Sequence, residues 1–208
     1  MRTNNNHPDK KTTPKIMKKL YFFLFMAFAG AVNANAQAER EFFVSFAANP
    51  ITTVVKESNV SARETETYAS LSFGINHLNP LTANEKLWTS LGGNFSWVRF
   101  GDGEGLVRIQ FPLSLKYKAK ASEHFVLEPY AGLTGTLNLF DYAKGNCGLS
   151  GNRISVGWHA GLDFNIHRFV VGIGYEKDFT NYDSFELGNS EGHSRWSSIS
   201  FKLGCRFD

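Results

Sequence analysis

Cysteine is nearly absent from this chain. Two among 208 residues are too few for a disulfide framework or a four-cysteine zinc site. The six histidines show neither H-x-x-x-H nor HExxH spacing, so the sequence names no metal site. Past residue 36 no apolar run approaches the roughly 18 residues that a membrane-crossing helix needs. Disorder is excluded by nineteen phenylalanines and nineteen glycines beside only six prolines, since disordered polymers lack aromatic mass. No internal repeat longer than a hairpin, low-complexity tract or interdomain linker is present. The length suits one domain behind a leader.

The leader is legible from charge. Met17-Lys18-Lys19 precedes an apolar run from Leu20 to Val32, and Ala34-Asn35-Ala36 follows. A basic segment, a short apolar core and an A-x-A site describe a secretory signal peptide over 17–36. An uncleaved anchor is the alternative. Residues 1–16 read as an extension ahead of a true start at Met17, and 37–208 as the mature domain. Removing six basic residues and one acidic residue from totals of 22 and 19 leaves 16 and 18. The mature chain is therefore slightly acidic, which argues against nucleic acid as a partner.

The hydrophobic period beyond the leader is two. Ile154, Val156, Trp158, Ala160, Leu162, Phe164 and Ile166 alternate with Arg153, Ser155, Gly157, His159, Gly161, Asp163 and Asn165. Val107, Ile109, Phe111, Leu113, Leu115 and Tyr117 alternate with Arg108, Gln110, Pro112, Ser114 and Lys116. Helices place apolar residues three and four apart, so these are strands with one wet face and one oily face. Eight are expected, near 41–49, 67–76, 87–100, 106–118, 123–139, 153–166, 168–179 and 195–207. Long polar loops are expected near 50–66, 140–152 and 180–194. Pro112 and Pro129 each remove a ladder donor. A local bulge is expected at each, or else a split of those two strands.

Eight alternating strands fit a soluble barrel with an oily interior or a membrane barrel with an oily exterior. An eight-stranded barrel is just wide enough for side chains to fill. The polar face is rich in small residues such as Gly132, Gly157, Gly161, Gly172, Ser114 and Ser198, which suits a crowded lumen. The expected lumen network is Arg108, Lys116, Glu128, Arg153, His159, Asp163, Arg168, Glu176, Asp178, Lys202 and Arg206. Lipid is expected to meet Val107, Ile109, Phe111, Leu113, Leu115, Ile154, Val156, Trp158, Leu162, Phe164, Phe169, Val171, Ile173, Ile199, Phe201 and Leu203. Turning such ions toward lipid at the midplane costs about 2–4 kcal/mol each. Lys177 falls on the oily face, near a strand end where it snorkels. Aromatic girdles are expected from Phe42, Tyr117, Phe125, Phe169 and Phe207 at one rim and Trp97, Phe140 and Phe179 at the other. The fold class is thus all-β, an eight-stranded antiparallel transmembrane up-and-down β-barrel. A soluble barrel with solvated outer charges is the competitor.

The segments Phe111-Pro112-Leu113-Ser114-Leu115-Lys116-Tyr117-Lys118 and Glu128-Pro129-Tyr130-Ala131-Gly132-Leu133-Thr134-Gly135 resemble the PorT-like outer-membrane β-barrel family. Small OmpA/OmpX-type barrels are its structural relatives. The final strand from Ile199 to Phe207 is similar to a C-terminal assembly signal, with Asp208 beyond the aromatic as a departure. The resemblance implies the bacterial outer membrane, both termini in the periplasm, and the barrel-assembly machinery as a partner. Lipid, lipopolysaccharide and an envelope or secretion-complex protein are the other partners expected. It carries no catalytic set.

Chemistry-bearing motifs are sparse. Gly101-Asp102-Gly103-Glu104-Gly105 lacks the Lys-Ser/Thr and helix of a phosphate loop and reads as a hairpin tip. Ser155, His159 and Asp163 share a strand face but lie roughly 13 Å apart in steps of four, too far for a triad. Cys147 sits in a polar loop and Cys205 on the oily face, so no bond between them is expected. The loops are rich in carboxylates, and divalent ions bridging them to lipopolysaccharide stand against simple solvation. No cofactor is expected. A non-enzymatic structural, adhesion or docking role leads, ahead of a narrow channel, a lipid-modifying enzyme and a soluble binding barrel.

Overall fold

The computed structural model describes residues 38–57, 60–100, 105–122, 124–140, 154–181, 183–187 and 190–207. The expected leader, residues 101–104, Cys147 and Arg153 lie outside them. The described residues form ten strands: β1 (Glu39–Glu57), β2 (Val60–Pro80), β3 (Leu87–Arg99), β4 (Gly105–Tyr117), β5 (Ala119–Lys120), β6 (Phe125–Phe140), β7 (Ile154–Ile166), β8 (Phe169–Asp178), β9 (Asp183–Leu187) and β10 (Ser190–Phe207). Eight of them make a closed up-and-down barrel. The order is β1-β2-β3-β4-β6-β7-β8-β10, and β10 pairs back onto β1 from Arg40↔Phe207 to Glu57↔Ser190. β5 continues the β4 side against β6, and β9 pairs only with β10.

Alternation in the sequence becomes alternation in space. Along β7, Ser155, His159, Asp163 and Asn165 are buried, while Ile154 and Ile166 are exposed. Tight hairpins at one end fix the register. Between β7 and β8 only His167 and Arg168 turn the chain, with His167 in the left-handed region at φ 57°. Left-handed backbone is uncommon for a residue other than glycine, and histidine is among the types that tolerate it. The short connections from β2 to β3, from β4 to β6 and from β7 to β8 define the turn end of the barrel; the opposite mouth is the loop end.

No bulge forms at either proline. Pairing of β6 with β4 and β7 keeps one register throughout, as does that of β3 with β4. At Pro112 the β3–β4 ladder lapses between Leu91↔Leu113 and Asn94↔Gln110 without a shift. Pro129 faces the place where β4 ends at Tyr117 and β5 begins at Ala119. Removing a single donor interrupts one ladder locally, and the neighbours on the other side hold the strand in phase. The one split thus falls in the fourth barrel strand, at Lys118 and not at Pro112.

Most of the loop expected over 50–66 is instead strand, in the ends of β1 and β2 that face each other. Pairing of β1 with β2 runs unbroken from Glu39↔Leu78 to Glu57↔Val60. Five consecutive β-branched residues, Ile51-Thr52-Thr53-Val54-Val55, favour the pleat over a loop. Part of the expected 180–194 loop is likewise strand, β9 against the start of β10. Because β3 and β8 stop at Arg99 and Asp178, a four-stranded sheet, β2-β1-β10-β9, stands beyond them at the loop end.

The outer face is apolar over the barrel section. Phe46, Phe73, Trp97, Leu115, Leu133, Ile154, Phe169, Ile173 and Phe201 are each about half exposed or more. Between Arg40 and His77 at the turn end and Arg99 and Lys177 at the loop end, no charged side chain among the described residues points outward. Phe42 and Phe207 pack edge to face at the turn-end rim, ring centroids 5.9 Å apart.

Candidate functional site

The inward positions of the strands compose a layered lumen. β4 supplies Arg108, Gln110, Ser114 and Lys116, while β6 supplies Glu128, Tyr130, Thr134 and Asn138. From β7 come His159 and Asp163, from β8 Glu176 and Asp178, and from β10 Ser198, Lys202 and Arg206. β1 adds Glu41. Glycine makes room for the larger groups. A Cβ at Gly161 would collide with the Tyr130 hydroxyl, so the ring lies across a gap that only glycine leaves.

At the turn end, three carboxylates and three cations form one lattice. Lys116 and Lys202 both donate to Asp163 Oδ2, each at 2.7 Å. Lys202 also donates to Glu41 Oε1 at 2.8 Å. The Arg206 guanidinium grips both Glu128 oxygens at 2.8 Å and reaches Glu41 Oε2 at 2.8 Å. Asn76 Nδ2 donates to Glu41 Oε1 at 3.0 Å. Glu41, Glu128 and Asp163 are fully buried. Such burial is tolerable only where every charge is paired and hydrogen-bonded, and the lattice is formally neutral. Beneath it at the rim, Lys118 donates to Glu39 Oε1 at 2.7 Å and sits 3.4 Å over the Trp88 ring. Partial burial holds the Lys118 ammonium below the usual lysine range, with Glu39 opposing the shift.

In the middle layer His159 is clamped from both sides. Its Nε2 lies 2.8 Å from Ser114 Oγ and its Nδ1 2.7 Å from Thr134 Oγ1. Neither ring nitrogen meets a carboxylate. A serine–histidine pair without an orienting acid, enclosed in the barrel, is polar packing and not an activated nucleophile.

At the loop end, Arg108 is the one cation among the described residues to pair with Glu176 and Asp178. Its Nη2 lies 3.2 Å from Asp178 Oδ2 and 3.6 Å from Glu176 Oε1. Its Nε donates to Asn138 Oδ1 at 3.2 Å. Gln110 Nε2 donates to both Glu176 oxygens, at 2.8 and 3.0 Å. Above this cluster lies an apolar cap of Ile51, Val98, Leu106 and Trp196, with Tyr68 and Phe100 packed on it. Val98, Leu106 and Trp196 are fully buried, and Arg108 lies 4.3 Å from the Trp196 ring centroid, within cation–π range. Between the lattice and the cap, a cavity of about 120 Å³ is lined by small hydroxyl and amide side chains, among them Ser72, Asn94, Ser96 and Ser198.

The structure gathers most of the expected lumen residues. Arg108, Lys116, Glu128, His159, Asp163, Asp178, Lys202 and Arg206 are buried inside, and Glu176 lines the cavity. Arg168 does not join them. It is exposed in the two-residue turn after β7, because strand phase ends at Ile166 and the turn carries its side chain away. None of the residues expected to face lipid is buried. Ser155, His159 and Asp163 are not brought together; His159 meets hydroxyls, and Asp163 meets two lysines. Sequence reasoning missed Glu41 and the cap, and it placed Gln110 on the polar face without naming it in the network. Glu41 shares phase with Ser45 and Asn49, and Val98 and Leu106 share the phase of Ser96 and Arg108, which was the available signal. Cys205 is a free thiol.

No protein-family model and no curated protein matches the chain. Among solved structures it is similar to the outer membrane protein OprG from Pseudomonas aeruginosa, with 14% identity, 84% of this chain and 98% of that chain covered, and a TM-score of 0.49. Neisserial surface protein A gives 14% identity, 80% and 97% coverage and a TM-score of 0.44. The attachment invasion locus protein Ail of Yersinia pestis gives 16%, 83% and 100%, and 0.39. These are likenesses of backbone course.

Proposed function

We propose that this chain is an integral barrel of the bacterial outer membrane, plugged by its own side chains, with a structural, adhesion or docking role in the envelope. The observation that carries this reading is the segregation of charge. Between its two rims the described outer face bears no charged side chain, while eight described Asp, Glu, Lys and Arg side chains are buried in the lumen. A soluble barrel is built the other way round, with its oil inside. Water is a poor solvent for a continuous exposed band of Phe, Leu, Ile and Trp, and hydrocarbon a good one.

The finer parts of the proposal follow from this one. The apolar run and A-x-A site of 17–36 act as a signal peptide, and the turn end with both termini faces the periplasm. Strand β10 is read by the barrel-assembly machinery, and the surrounding partners are outer-membrane lipid and lipopolysaccharide. The PorT-like resemblance of 111–118 and 128–135 favours docking of an envelope or secretion complex. Catalysis and transport are disfavoured by the ionic lattice and the Trp196 cap, which fill the lumen at two levels.

Envelope fractionation tests the placement. The protein is expected with outer membranes, extracted only by detergent; recovery as a soluble periplasmic species would refute it. Planar-bilayer recording tests the plug, with no steady conductance expected from the intact barrel.

A further inference from the structure

Outward-facing charge resumes at the loop-end rim, and two of its cations stand side by side. Lys177 on β8 and Arg195 on β10 are both exposed, in the outward phase of their strands. Lys177 is the cross-strand partner of Ser197, so Arg195 lies on its diagonal, two residues along. Such diagonal neighbours are about 7–8 Å apart. Neither makes an ion pair with a carboxylate of any described residue. Glu176 and Asp178 point into the lumen toward Arg108. The register sets Asp183 opposite Ser194, a buried position of the inward phase. Glu191 is opposite Lys56, and it lies roughly 13 Å along β10 from Arg195. Two cations this close without a counter-charge repel each other.

The pair sits where the oily wall stops. One outward step nearer the barrel's middle, Ile199 and Tyr175 are cross-strand partners and both exposed. Trp158 is the other cross-strand partner of Lys177, and its ring centroid lies 5.4 Å from that of Tyr175. Exposed Phe179 follows on β8. Tryptophan and tyrosine mark the level where hydrocarbon gives way to headgroups. Asn181 orients Arg195, accepting from its Nε through Oδ1 at 3.3 Å. A guanidinium edge beside an ammonium fits the oxygens of a phosphate.

We propose that Lys177 and Arg195 clamp a phosphate group of a membrane lipid, the phosphorylated glycolipid of the outer leaflet. The phosphate supplies the counter-charge that the pair lacks, and the acyl chains run down the wall past Tyr175 and Ile199. The inference rests on the envelope reading, because it takes the oily wall to lie in hydrocarbon and the loop end to face outward. It adds the place at which the lipid is held.

The full chain, refolded into zwitterionic detergent micelles with EDTA, tests this. It is titrated with diphosphoryl lipid A, with the same lipid stripped of both phosphates, and with diphosphoryl lipid A against inorganic phosphate. Bound lipid is counted by native mass spectrometry, and circular dichroism confirms the barrel in every variant. The wild type is expected to prefer the phosphorylated lipid by about tenfold or more, and Lys177→Gln or Arg195→Gln to lose about tenfold in affinity for it, one charge-assisted contact each. The double variant is expected to bind both lipids alike. Lys56→Gln removes another exposed outward cation, one that faces Glu191, and is expected to change nothing. Equal binding of the two lipids by the wild type would overturn the proposal, as would a preference that survives the double substitution or a matching loss with Lys56→Gln. So would displacement of the lipid by inorganic phosphate, the mark of a free-anion site. A preference that appears only when magnesium replaces EDTA would overturn it too, since carboxylates would then be the holders. A barrel that spans bilayers without this preference loses the clamp and keeps the envelope reading; a soluble periplasmic barrel loses both.

Discussion

The two ends of the lumen solve the same problem in different ways. Toward the turns, six ionised groups enclose one another in a neutral lattice, with Arg206 forked on Glu128 and two lysines sharing one oxygen of Asp163. Toward the loops, one arginine serves two carboxylates, and closure comes from packed Ile51, Val98, Leu106 and Trp196. The contrast teaches that one lumen is filled by two different devices, a neutral ionic lattice at one end and a packed apolar cap at the other. A lattice fails when one member is removed, because the remainder is stranded. A packed cap fails in proportion to the volume lost.

Substitutions separate these modes, read by urea unfolding of the refolded barrel in lipid vesicles. The largest loss is expected for Asp163→Asn, which leaves two buried ammoniums without their shared partner, at about 3–5 kcal/mol. Leu106→Ala opens the cap and is expected to cost about 2–4 kcal/mol; a planar-bilayer leak would accompany it only if the cap, and not the lattice, seals the lumen. Arg206→Lys keeps the charge but loses the fork on Glu128, an expected cost of about 1.5–3 kcal/mol. Asp178→Asn is expected to stay within about 1 kcal/mol, because Arg108 retains both Glu176 and Asn138. A large loss at Asp178 with a small one at Asp163 would invert the comparison.

How much of this was legible in the sequence depends on phase. Period-two alternation placed Lys116, Asp163 and Lys202 inside and Leu115, Phe164 and Phe201 outside, because a strand gives its side chains only two directions. It failed where the strand itself ended, as at Arg168. Polarity misled at 50–66, where β-branched Thr and Val continue the pleat despite hydroxyls. It misled again at Val98, Leu106 and Trp196, since apolar residues in the polar phase become a plug and not a lipid contact. The pairing of Arg206 with Glu128 and Glu41 joins three strands across the lumen, and no spacing along one chain announces such a meeting.

The four tryptophans offer the most direct test of which face meets hydrocarbon. Trp97 is 53% exposed on the outer wall, and Trp158 shares its outward phase beside Tyr175. Trp88 and Trp196 are enclosed, at 2% and 0%. Four single-tryptophan variants, the others replaced by phenylalanine, are reconstituted into vesicles whose acyl chains carry bromine. Enclosed ions and an oily exterior predict quenching of Trp97 and Trp158 and none of Trp88 and Trp196. Equal quenching of all four, or protection of the outer pair, would contradict that arrangement.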